Sequence, residues 1–347
     1  MPRISLARAL RLLFNIFPLM KTRALAVTAI NTVTCASVEI PQPAPGQLLV
    51  ETELSAISPG TELRCLAGLE NQSAGFPFIP GYSCLGRVVA SGPGCTTPIG
   101  TRVFAGATAQ ASIRCQWGGH VAHAVVDEAK ATPIPEAIPA RSAVLLKLAA
   151  ISHRGFALAP SVPGTTVAVV GLGPIGMLSA LIHRAHGARV VGLDLIPARI
   201  QLAQSLGLEA ARSDAPEART LLPQGAEIVV DSSGVPAVLP SALGWLGEVA
   251  WNQPDNASRT LVLQGSYGPR DIQLPYVECF FKEIRLVVPR DELASDRQGV
   301  LSLMASGKLD AAPLCSRTER PENAQAVYQA LIGRDPSLQT AAFDWRS

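Results

Sequence analysis

The sequence predicts a two-domain α/β protein, in which a small β-rich domain is followed by a doubly wound parallel sheet. Residues 24–140 contain short β-prone runs separated by turns rich in glycine and proline. Residues 165–288 instead alternate between buried strand-like runs and helical runs, which is typical of parallel strands joined by crossover helices. The 347 residues are enough for two hydrophobic cores of ordinary size.

The β-rich domain is predicted from short runs that end at turns, which favours a small barrel or sandwich. These runs cover residues 24–30, 48–54, 85–90, 102–104 and 120–126. An apolar run of helical character at 142–159 marks the passage to the second domain. The predicted divisions are an N-terminal extension at 1–20, a β-rich domain at 21–150, a parallel-sheet domain at 151–290 and a tail at 291–347 that packs back on the first domain.

The parallel sheet is predicted from five buried runs, at residues 165–170, 189–194, 227–231, 260–265 and 284–288. Two helices between them have clear ends. The helix at 176–186 stops at Gly187, and Pro197 opens the helix at 197–206. Glycine favours the position after a helix and proline favours its first turn, so both residues support these boundaries.

Composition narrows the function classes. A net charge of +2 is too small to suggest a nucleic-acid or membrane-surface partner, and the longest apolar runs are too short for a membrane span. The seven cysteines are scattered, with no C-x-x-C pair, which predicts a reducing, cytoplasmic compartment. Residues 1–20 lack a small-residue cleavage site, and Met20 resembles a second natural start, so an extension is favoured over a targeting signal.

The strongest motif is GLGPIG at 171–176, between a predicted strand and a predicted helix. Gly171 permits the tight turn, Gly173 lets the backbone approach a pyrophosphate, and Gly176 allows close packing of helix on strand. Pro174 and Ile175 open the helix, whose N-terminal N–H groups and dipole attract a phosphate. The motif therefore predicts a dinucleotide site.

An acid lies at the expected distance from this motif. Asp194 ends the next strand, where a carboxylate accepts hydrogen bonds from the ribose hydroxyls and repels a 2′-phosphate. NAD is therefore favoured over NADP, although Arg199 lies close enough in sequence to tolerate the phosphate. Ser232, Gly265 and Ser266 follow later strands and are expected to complete the cofactor site, with ordinary turn chemistry as the alternative.

These motifs, together with SPGTE at 58–62 and PGYSCLG at 80–86, resemble the medium-chain dehydrogenase/reductase family over nearly the whole chain. The resemblance implies a GroES-like β-rich catalytic domain, a Rossmann doubly wound parallel sheet, a cleft between them, a small-molecule substrate and a homodimer. Stretches at 55–68, 77–92 and 145–158 are similar to the bacteriochlorophyllide dehydrogenase group, which acts on a hydroxyethyl side chain of a chlorin.

The metal ligands of that family do not have counterparts here. Zinc-dependent members carry a cysteine, a histidine–glutamate pair and a further cysteine at the domain junction. By the resemblance, the corresponding positions of this sequence hold Ser58, Tyr82 with Ser83, and Leu148. Hydroxyl, phenol and isobutyl groups do not hold Zn²⁺, which binds thiolate, imidazole or carboxylate. The family's structural zinc site needs four closely spaced cysteines, and in this sequence only Cys115 falls in the corresponding region. The sequence therefore predicts an enzyme without zinc.

Without a metal, hydrogen-bond donors must stabilise the developing alkoxide and move its proton. Thr61 matches the family's proton-relay hydroxyl, Tyr82 stands at a ligand position, and Ser58 is expected to assist. His153 is the nearby group that titrates near neutrality. Each has a structural alternative: Tyr82 fills the vacated pocket, Thr61 caps a turn, His153 is a satisfied core histidine, and Glu62 is a structural ion-pair partner.

Three functions remain open. The favoured one is reversible NAD-dependent oxidation of a secondary alcohol to a ketone. The second is reduction of an activated double bond, as in quinone and enoyl reductases, against which Asp194 argues because those enzymes prefer NADPH. The third is a catalytically idle nucleotide-binding protein, against which the retained Thr61 and Tyr82 argue.

Two histidine pairs receive structural interpretations. His120 and His123 lack a third ligand nearby in sequence, so they are interpreted as surface or cleft residues and not as a metal pair. His183 and His186 are predicted near a helix end, where the helix dipole favours a cation.

Overall fold

The computed structural model describes residues 19–70, 75–252, 258–268 and 271–346. The predicted extension therefore lies outside the described residues up to position 18. The chain divides into two compact units: unit 1 comprises residues 1–145, 317–334 and 340–347, and unit 2 comprises residues 146–316 and 335–339.

The described strands, numbered in chain order, are β1 Leu19–Ala29, β2 Thr32–Pro41, β3 Gln47–Ala56, β4 Phe78–Ile79, β5 Cys84–Ser91, β6 Arg102–Phe104, β7 Arg114–Cys115, β8 His123–Asp127, β9 Thr132–Pro133, β10 Thr166–Val170, β11 Arg189–Asp194, β12 Glu209–Arg212, β13 Ile228–Asp231, β14 Thr260–Leu263, β15 Arg285–Val287, β16 Cys315–Glu319 and β17 Thr340–Asp344.

The described α-helices are α1 Pro59–Leu66, α2 Ala140–Ala143, α3 Leu146–Leu158, α4 Pro174–Ala185, α5 Pro197–Ser205, α6 Pro216–Leu221, α7 Leu239–Leu243, α8 Tyr276–Phe281, α9 Ala294–Ala305 and α10 Ala324–Ile332. Across the described ranges, none of the helices has both the length and the apolar character needed to cross a lipid bilayer.

Unit 1 is built on two sheets. The larger runs β16-β17-β3-β5-β6-β9, with β8 also paired to β3, and the smaller runs β2-β1-β4-β7. Strand β3 pairs with β5 over residues 48–55, with β8 over 47–51 and with β17 over 54–56. This pairing fixes the C-terminal strand β17 in the N-terminal unit, so the last residues of the chain contribute to the same core.

Unit 2 contains a six-stranded parallel sheet in the order β12-β11-β10-β13-β14-β15. Its central strands β10, β13 and β14 are almost fully buried and consist mainly of valine, isoleucine and leucine, as expected for parallel strands covered on both faces. The order steps outward in both directions from β10, the arrangement of a doubly wound sheet with a ligand crevice at the carboxyl ends of its strands. The predicted fold class is confirmed.

Helix α4 shows how local sequence sets the crevice. It follows β10 directly, has Gly173 as its N-cap and Pro174 as its first residue, and ends before Gly187, which has a φ of +88°. Proline supplies the fixed φ of a first helical turn, and glycine adopts the left-handed conformation that stops a helix. The helix N-terminus therefore points its free N–H groups at the end of β10.

Two boundaries differ from the expected ones. Residues 291–316 belong to unit 2 and not to the returning tail, because α9 packs on α3. Lys147 of α3 lies 3.0 Å from Glu292, and His153 Nδ1 lies 2.9 Å from an Asp296 carboxylate oxygen at the start of α9. At the other end, β1 already begins at Leu19, inside the predicted extension.

Candidate functional site

Three of the predicted catalytic residues meet in unit 1. The Tyr82 phenol donates a hydrogen bond to Ser58 Oγ and lies 3.3 Å from Thr61 Oγ1. Ser58 is 6 % exposed, whereas Thr61 and Tyr82 are partly exposed, so the group reaches solvent through Thr61 and Tyr82. We call Ser58, Thr61 and Tyr82 the hydroxyl cluster. Three adjoining hydroxyls can bind an oxygen atom and pass a proton between it and solvent.

Two local structures bring the hydroxyl cluster together. Ser58 occupies the N-cap of α1 without making a side-chain cap bond, which leaves its oxygen for Tyr82, and Thr61 lies in the first turn of the same helix. Tyr82 follows Gly81, whose φ of +85° turns the chain between β4 and β5. The ring of Tyr82 meets the Trp117 ring edge-on, with 5.3 Å between centroids.

A buried carboxylate lies beneath the hydroxyl cluster. Glu62 is 0 % exposed, and its two oxygens accept hydrogen bonds from the Ser58 backbone N–H at 2.7 Å and the Tyr328 hydroxyl at 2.5 Å. His120 Nε2 lies 3.0 Å from the oxygen that Tyr328 contacts. These contacts match the structural alternative for Glu62. The sequence contains no signal for Tyr328, because it lies 266 positions away.

The interpretation of His120 as a surface or cleft residue is wrong. Its side chain is fully buried, and its second ring nitrogen lies 2.7 Å from Ser55 Oγ. His123, three positions later, is only partly buried and contacts Thr22 at 3.0 Å. The two histidines therefore have different environments and do not form a metal pair.

The side chains at the expected zinc positions do not fit a zinc ion. Ser58 and Tyr82 offer hydroxyls that hydrogen-bond each other, and Leu148 is a fully buried apolar residue of α3. Ser83 is also fully buried, with a single hydroxyl. These are not the thiolate, imidazole or carboxylate ligands that Zn²⁺ binds. Within the part of the chain that is described, no group of three histidine, cysteine or acidic residues could hold a metal ion.

The predicted cofactor residues meet in unit 2, at the carboxyl ends of four neighbouring strands. The glycine turn follows β10, Asp194 ends β11, Ser232 follows β13, and Gly265 and Ser266 follow β14. These strands are adjacent in the sheet. The tertiary structure therefore assembles residues that are spread over nearly 100 positions of sequence into one edge.

The three glycines of the turn differ in what surrounds them. A Cβ added to Gly176 would lie 1.8 Å from the Gly171 carbonyl oxygen, and Gly171 has a φ of +87° with Ser233 N at 3.0 Å from such an atom. Gly173 is different, because its added Cβ would meet nothing nearer than Arg199 at 4.0 Å. The protein itself requires two of the glycines, whereas Gly173 borders open space. That space fits a pyrophosphate close to the backbone.

Asp194 is tied to the same turn. One carboxylate oxygen accepts the Leu172 N–H at 2.6 Å and lies 3.4 Å from Arg199 Nη1, while the other accepts the Ile196 N–H at 2.8 Å. The residue is 7 % exposed. Arg199, which the sequence placed close enough to tolerate a 2′-phosphate, thus forms an ion pair with Asp194.

A second acid, Asp231, ends β13 beside the predicted cofactor residue Ser232. Asp231 accepts the Ser233 N–H at 2.8 Å and the Tyr267 hydroxyl at 2.9 Å. Burial raises the pKa of Asp231, and the hydrogen bonds oppose that rise; burial and the adjacent carboxyl raise the pKa of Tyr267. Tyr267 therefore remains a donor, and it connects the loop after β13 to the loop after β14.

The fourth predicted catalytic residue, His153, lies in unit 2 and is not part of the hydroxyl cluster's unit. Its ring contacts Asp296 and Phe156, and it packs against Gly299, where an added Cβ would lie 2.5 Å from Nε2. Asp296 also accepts the Leu293 N–H at 2.8 Å. These contacts match the alternative of a satisfied core histidine, which joins α3 to α9.

His183 is not the helix-end cation that the sequence suggested. Burial lowers its pKa to about 3, and Ser161 Oγ lies 2.8 Å from its Nδ1. The desolvation of a 1 % exposed imidazole therefore outweighs the attraction of the helix dipole.

Residues 44–136 match the alcohol dehydrogenase GroES-like domain. The chain is 27 % identical to 2-desacetyl-2-hydroxyethyl bacteriochlorophyllide A dehydrogenase of Cereibacter sphaeroides, over 94 % of this chain and 99 % of that protein. Among solved structures, a short chain alcohol dehydrogenase of Escherichia coli complexed with NADH has a TM-score of 0.80 at 18 % identity, covering 93 % and 99 % of the two chains. The 2R,3R-butanediol dehydrogenase of Bacillus subtilis has the same TM-score at 21 % identity, also covering 93 % and 99 %.

These likenesses extend over both units, since the GroES-like match lies in unit 1 and the full-length matches include the parallel sheet of unit 2. These findings support a member of the medium-chain dehydrogenase/reductase family, an NAD(P)-dependent oxidoreductase of the alcohol dehydrogenase type.

Proposed function

We propose that this chain is a zinc-independent, NAD-dependent oxidoreductase that interconverts a secondary alcohol and a ketone. The observation that carries the proposal is the hydroxyl cluster, in which Tyr82 donates to Ser58 Oγ and lies 3.3 Å from Thr61 Oγ1. By the resemblance to the family, Ser58 and Tyr82 take positions that hold metal ligands in its zinc-dependent members, and Thr61 takes that of the proton-relay hydroxyl. The three hydroxyls of the cluster supply the donors and the proton path that hydride chemistry at an oxygen-bearing carbon needs without a Lewis acid.

In the proposed reaction the substrate oxygen hydrogen-bonds to the Tyr82 phenol. In the direction of ketone reduction the phenol proton moves to the forming alkoxide, and the phenolate is reprotonated through Ser58 and Thr61 from solvent. Alcohol oxidation follows the same path in reverse. The nicotinamide, when bound, would supply the hydride to the carbonyl carbon as NADH and, in alcohol oxidation, accept it as NAD⁺. Glu62 holds the backbone N–H of Ser58, and therefore keeps the Ser58 oxygen within reach of the phenol.

The cofactor preference for NAD rests on Asp194. A carboxylate at the end of β11 accepts bonds from ribose hydroxyls and repels a 2′-phosphate. The ion pair with Arg199 at 3.4 Å partly neutralises that carboxylate, so the discrimination against NADP is expected to be moderate. The residues that would hold the pyrophosphate are the glycine turn, with Pro174 and Ile175 at the start of α4.

The substrate class is proposed from the relatives. Both the bacteriochlorophyllide dehydrogenase and the butanediol dehydrogenase are named for substrates with a secondary alcohol or its ketone. A screen of secondary alcohols with NAD⁺ and of ketones with NADH, including hydroxyethyl chlorins and butanediols, tests the proposal by nicotinamide absorbance. Enones and quinones form a second arm, because turnover of those alone identifies a double-bond reductase.

Two further results separate the alternatives. Zinc analysis of the purified protein is expected to find far less than one ion per chain, and an activity that zinc restores would overturn the metal-free mechanism. Binding of NADH without turnover in every arm of the screen would identify a catalytically idle nucleotide-binding protein.

We also propose a homodimer through unit 2. Tyr276, Phe280 and Phe281 of α8 are at least 49 % exposed, together with Trp251 at 74 %. Close to them along the chain, β15 is the last strand of the parallel sheet, and an edge strand with apolar neighbours is suited to pairing with a second copy. Sedimentation velocity tests this, since Phe281→Lys is expected to convert a dimer to a monomer; a wild-type monomer would contradict it.

A further inference from the structure

We propose that His120 is a positioning residue that holds the hydroxyl cluster from two sides at once. On one side it acts through Glu62 on the helix start that carries Ser58 and Thr61. On the other it acts through Gly81 on the turn that carries Tyr82. The inference rests on the proposed function for its kinetic consequence, but its structural consequence is measurable without any substrate.

The first side is electrostatic. Glu62 is completely buried, and a buried carboxylate is stable only when donors surround it. His120 Nε2, at 3.0 Å, shares this task with the Tyr328 hydroxyl and the Ser58 N–H. The Ser58 N–H bond is the one that fixes the serine. Loss of the imidazole donor therefore leaves the carboxylate free to shift, and Ser58 shifts with it.

The second side is steric. A Cβ added to Gly81 would lie 2.5 Å from His120 Cδ2, so the imidazole packs directly against the Gly81 backbone. Gly119 packs equally closely, because its N–H lies 2.7 Å from the Gly81 oxygen and its added Cβ would lie 2.7 Å from Tyr82 N. The segment 119–120 thus forms the support on which the Gly81–Tyr82 turn rests.

Two residues near the C-terminus, Trp345 and Phe343, help to fix the orientation of the His120 imidazole. Trp345 Nε1 donates to Ser55 Oγ at 2.8 Å, and Ser55 Oγ lies 2.7 Å from His120 Nδ1. Because an indole only donates, Ser55 Oγ accepts from Trp345. An ionised carboxylate only accepts, so Nε2 is the nitrogen that donates to Glu62, and in a neutral imidazole Nδ1 then accepts from Ser55. The Phe343 ring packs at right angles to the imidazole, at 5.4 Å between centroids. These contacts prevent the ring from rotating away from Glu62.

A pair of amide variants separates the two nitrogens of the ring. In His120→Gln the amide reaches the position of Nε2 and can still donate to Glu62, whereas in His120→Asn it reaches only the position of Nδ1. Both lose the aromatic ring that supports Gly81. We expect His120→Asn to lower kcat about 100-fold, as displacements of about 1 Å do, and His120→Gln to lose less. KM for NADH stays unchanged in both.

A spectroscopic measurement makes the result independent of turnover. With tyrosines labelled with carbon-13 at Cζ, the Tyr82 resonance is assigned by its disappearance in Tyr82→Phe. We expect it to move in both His120 variants, and to stay in place in His123→Asn, which changes the partly buried histidine that contacts Thr22. Tyr328→Phe, which removes only one hydroxyl from Glu62, is a milder variant should the His120 variants fail to fold, and it is expected to move the same resonance.

The outcomes are distinct. If the Tyr82 resonance is identical in wild type, His120→Gln and His120→Asn, His120 does not position the hydroxyl cluster and the inference is wrong. Should those variants fail to fold, an unchanged resonance in Tyr328→Phe contradicts the part of the inference that runs through Glu62. Equal kcat losses in the Gln and Asn variants would contradict the part of the inference that depends on Glu62. If wild type turns over no alcohol or ketone while the resonance moves as expected, the proposed function fails and the positioning role stands.

Discussion

The hydroxyl of Tyr328, in helix α10, lies 2.5 Å from the buried carboxylate of Glu62 in helix α1. Burial, and then the carboxylate itself, raise the pKa of Tyr328 well above its ordinary value, so the phenol keeps its proton and acts only as a donor here. One of the last helices of the chain therefore helps to satisfy a charge beside the hydroxyl cluster formed near its beginning. This contact connects the fold of unit 1 to its chemistry.

Tyr82→Phe tests the hydroxyl cluster directly. Removing one oxygen deletes the proposed donor to the substrate, and a positioned acid contributes about 100- to 10,000-fold to a rate. We expect a kcat loss in that range with NADH affinity preserved, measured by steady-state kinetics and by nicotinamide fluorescence. Ser302→Ala, which removes an exposed hydroxyl from helix α9 in unit 2, is the control. Unchanged turnover in Tyr82→Phe would reduce Tyr82 to a space-filling residue.

Two alanine substitutions in the glycine turn are expected to act oppositely. Gly173 has a φ of −66° and room for a Cβ, so Gly173→Ala should keep the melting temperature but weaken NADH binding, because the methyl group enters the proposed pyrophosphate space. In Gly176→Ala the methyl would lie 1.8 Å from the Gly171 oxygen, so this variant should lose stability. Thermal unfolding and fluorescence titration measure the two effects; tight NADH binding by Gly173→Ala would place the pyrophosphate elsewhere.

Asp194→Asn tests the cofactor preference. The amide keeps an oxygen acceptor for the Leu172 N–H but removes the negative charge, and Arg199 loses its ion-pair partner. Charged hydrogen bonds contribute about 1.5–3 kcal/mol, so NADH affinity is expected to fall about tenfold or more while NADPH affinity rises. The ratio of the two dissociation constants is the measurement. A ratio equal to that of wild type would mean that Asp194 does not select the cofactor.

His183 makes stability depend on pH. Its pKa falls from 6.5 to about 3 on folding, so the unfolded chain binds a proton below pH 6.5 that the folded chain refuses. The contribution is present above pH 6.5 and is lost as the pH falls from there toward 3. Between pH 7.5 and pH 5 wild type should lose about 2 kcal/mol more unfolding free energy than His183→Asn. Urea denaturation at the two pH values measures this; parallel losses in both proteins would show that His183 is not the cause.

Much of the fold follows from local patterns. The runs predicted as β11 and β6 have the observed bounds. The predicted β5 is one residue shorter than the observed strand at each end, and the predicted β13 begins one residue early. The signal is strong there because buried β-branched runs with glycine or proline at their ends leave few alternatives. The boundary near 291 was less predictable, since it depends on which partner α9 packs against, and the sequence carries no local sign of the His153–Asp296 contact.

The candidate site, like the fold, has a part that the sequence predicts and a part that only the tertiary structure decides. The pattern of residues along the chain alone determined the glycine turn with Asp194. It also identified Ser58, Thr61 and Tyr82, and residues chemically unsuited to zinc at the expected ligand positions. Only the tertiary structure decided that His120 is buried, that Tyr328, Ser55 and Trp345 complete a network around Glu62, and that Asp231 joins two loops through Tyr267. Chain-local motifs record turns and helix starts, which depend on neighbouring residues. Burial and long-range hydrogen bonds depend on which distant segments meet, and that is set by the packing of the whole unit.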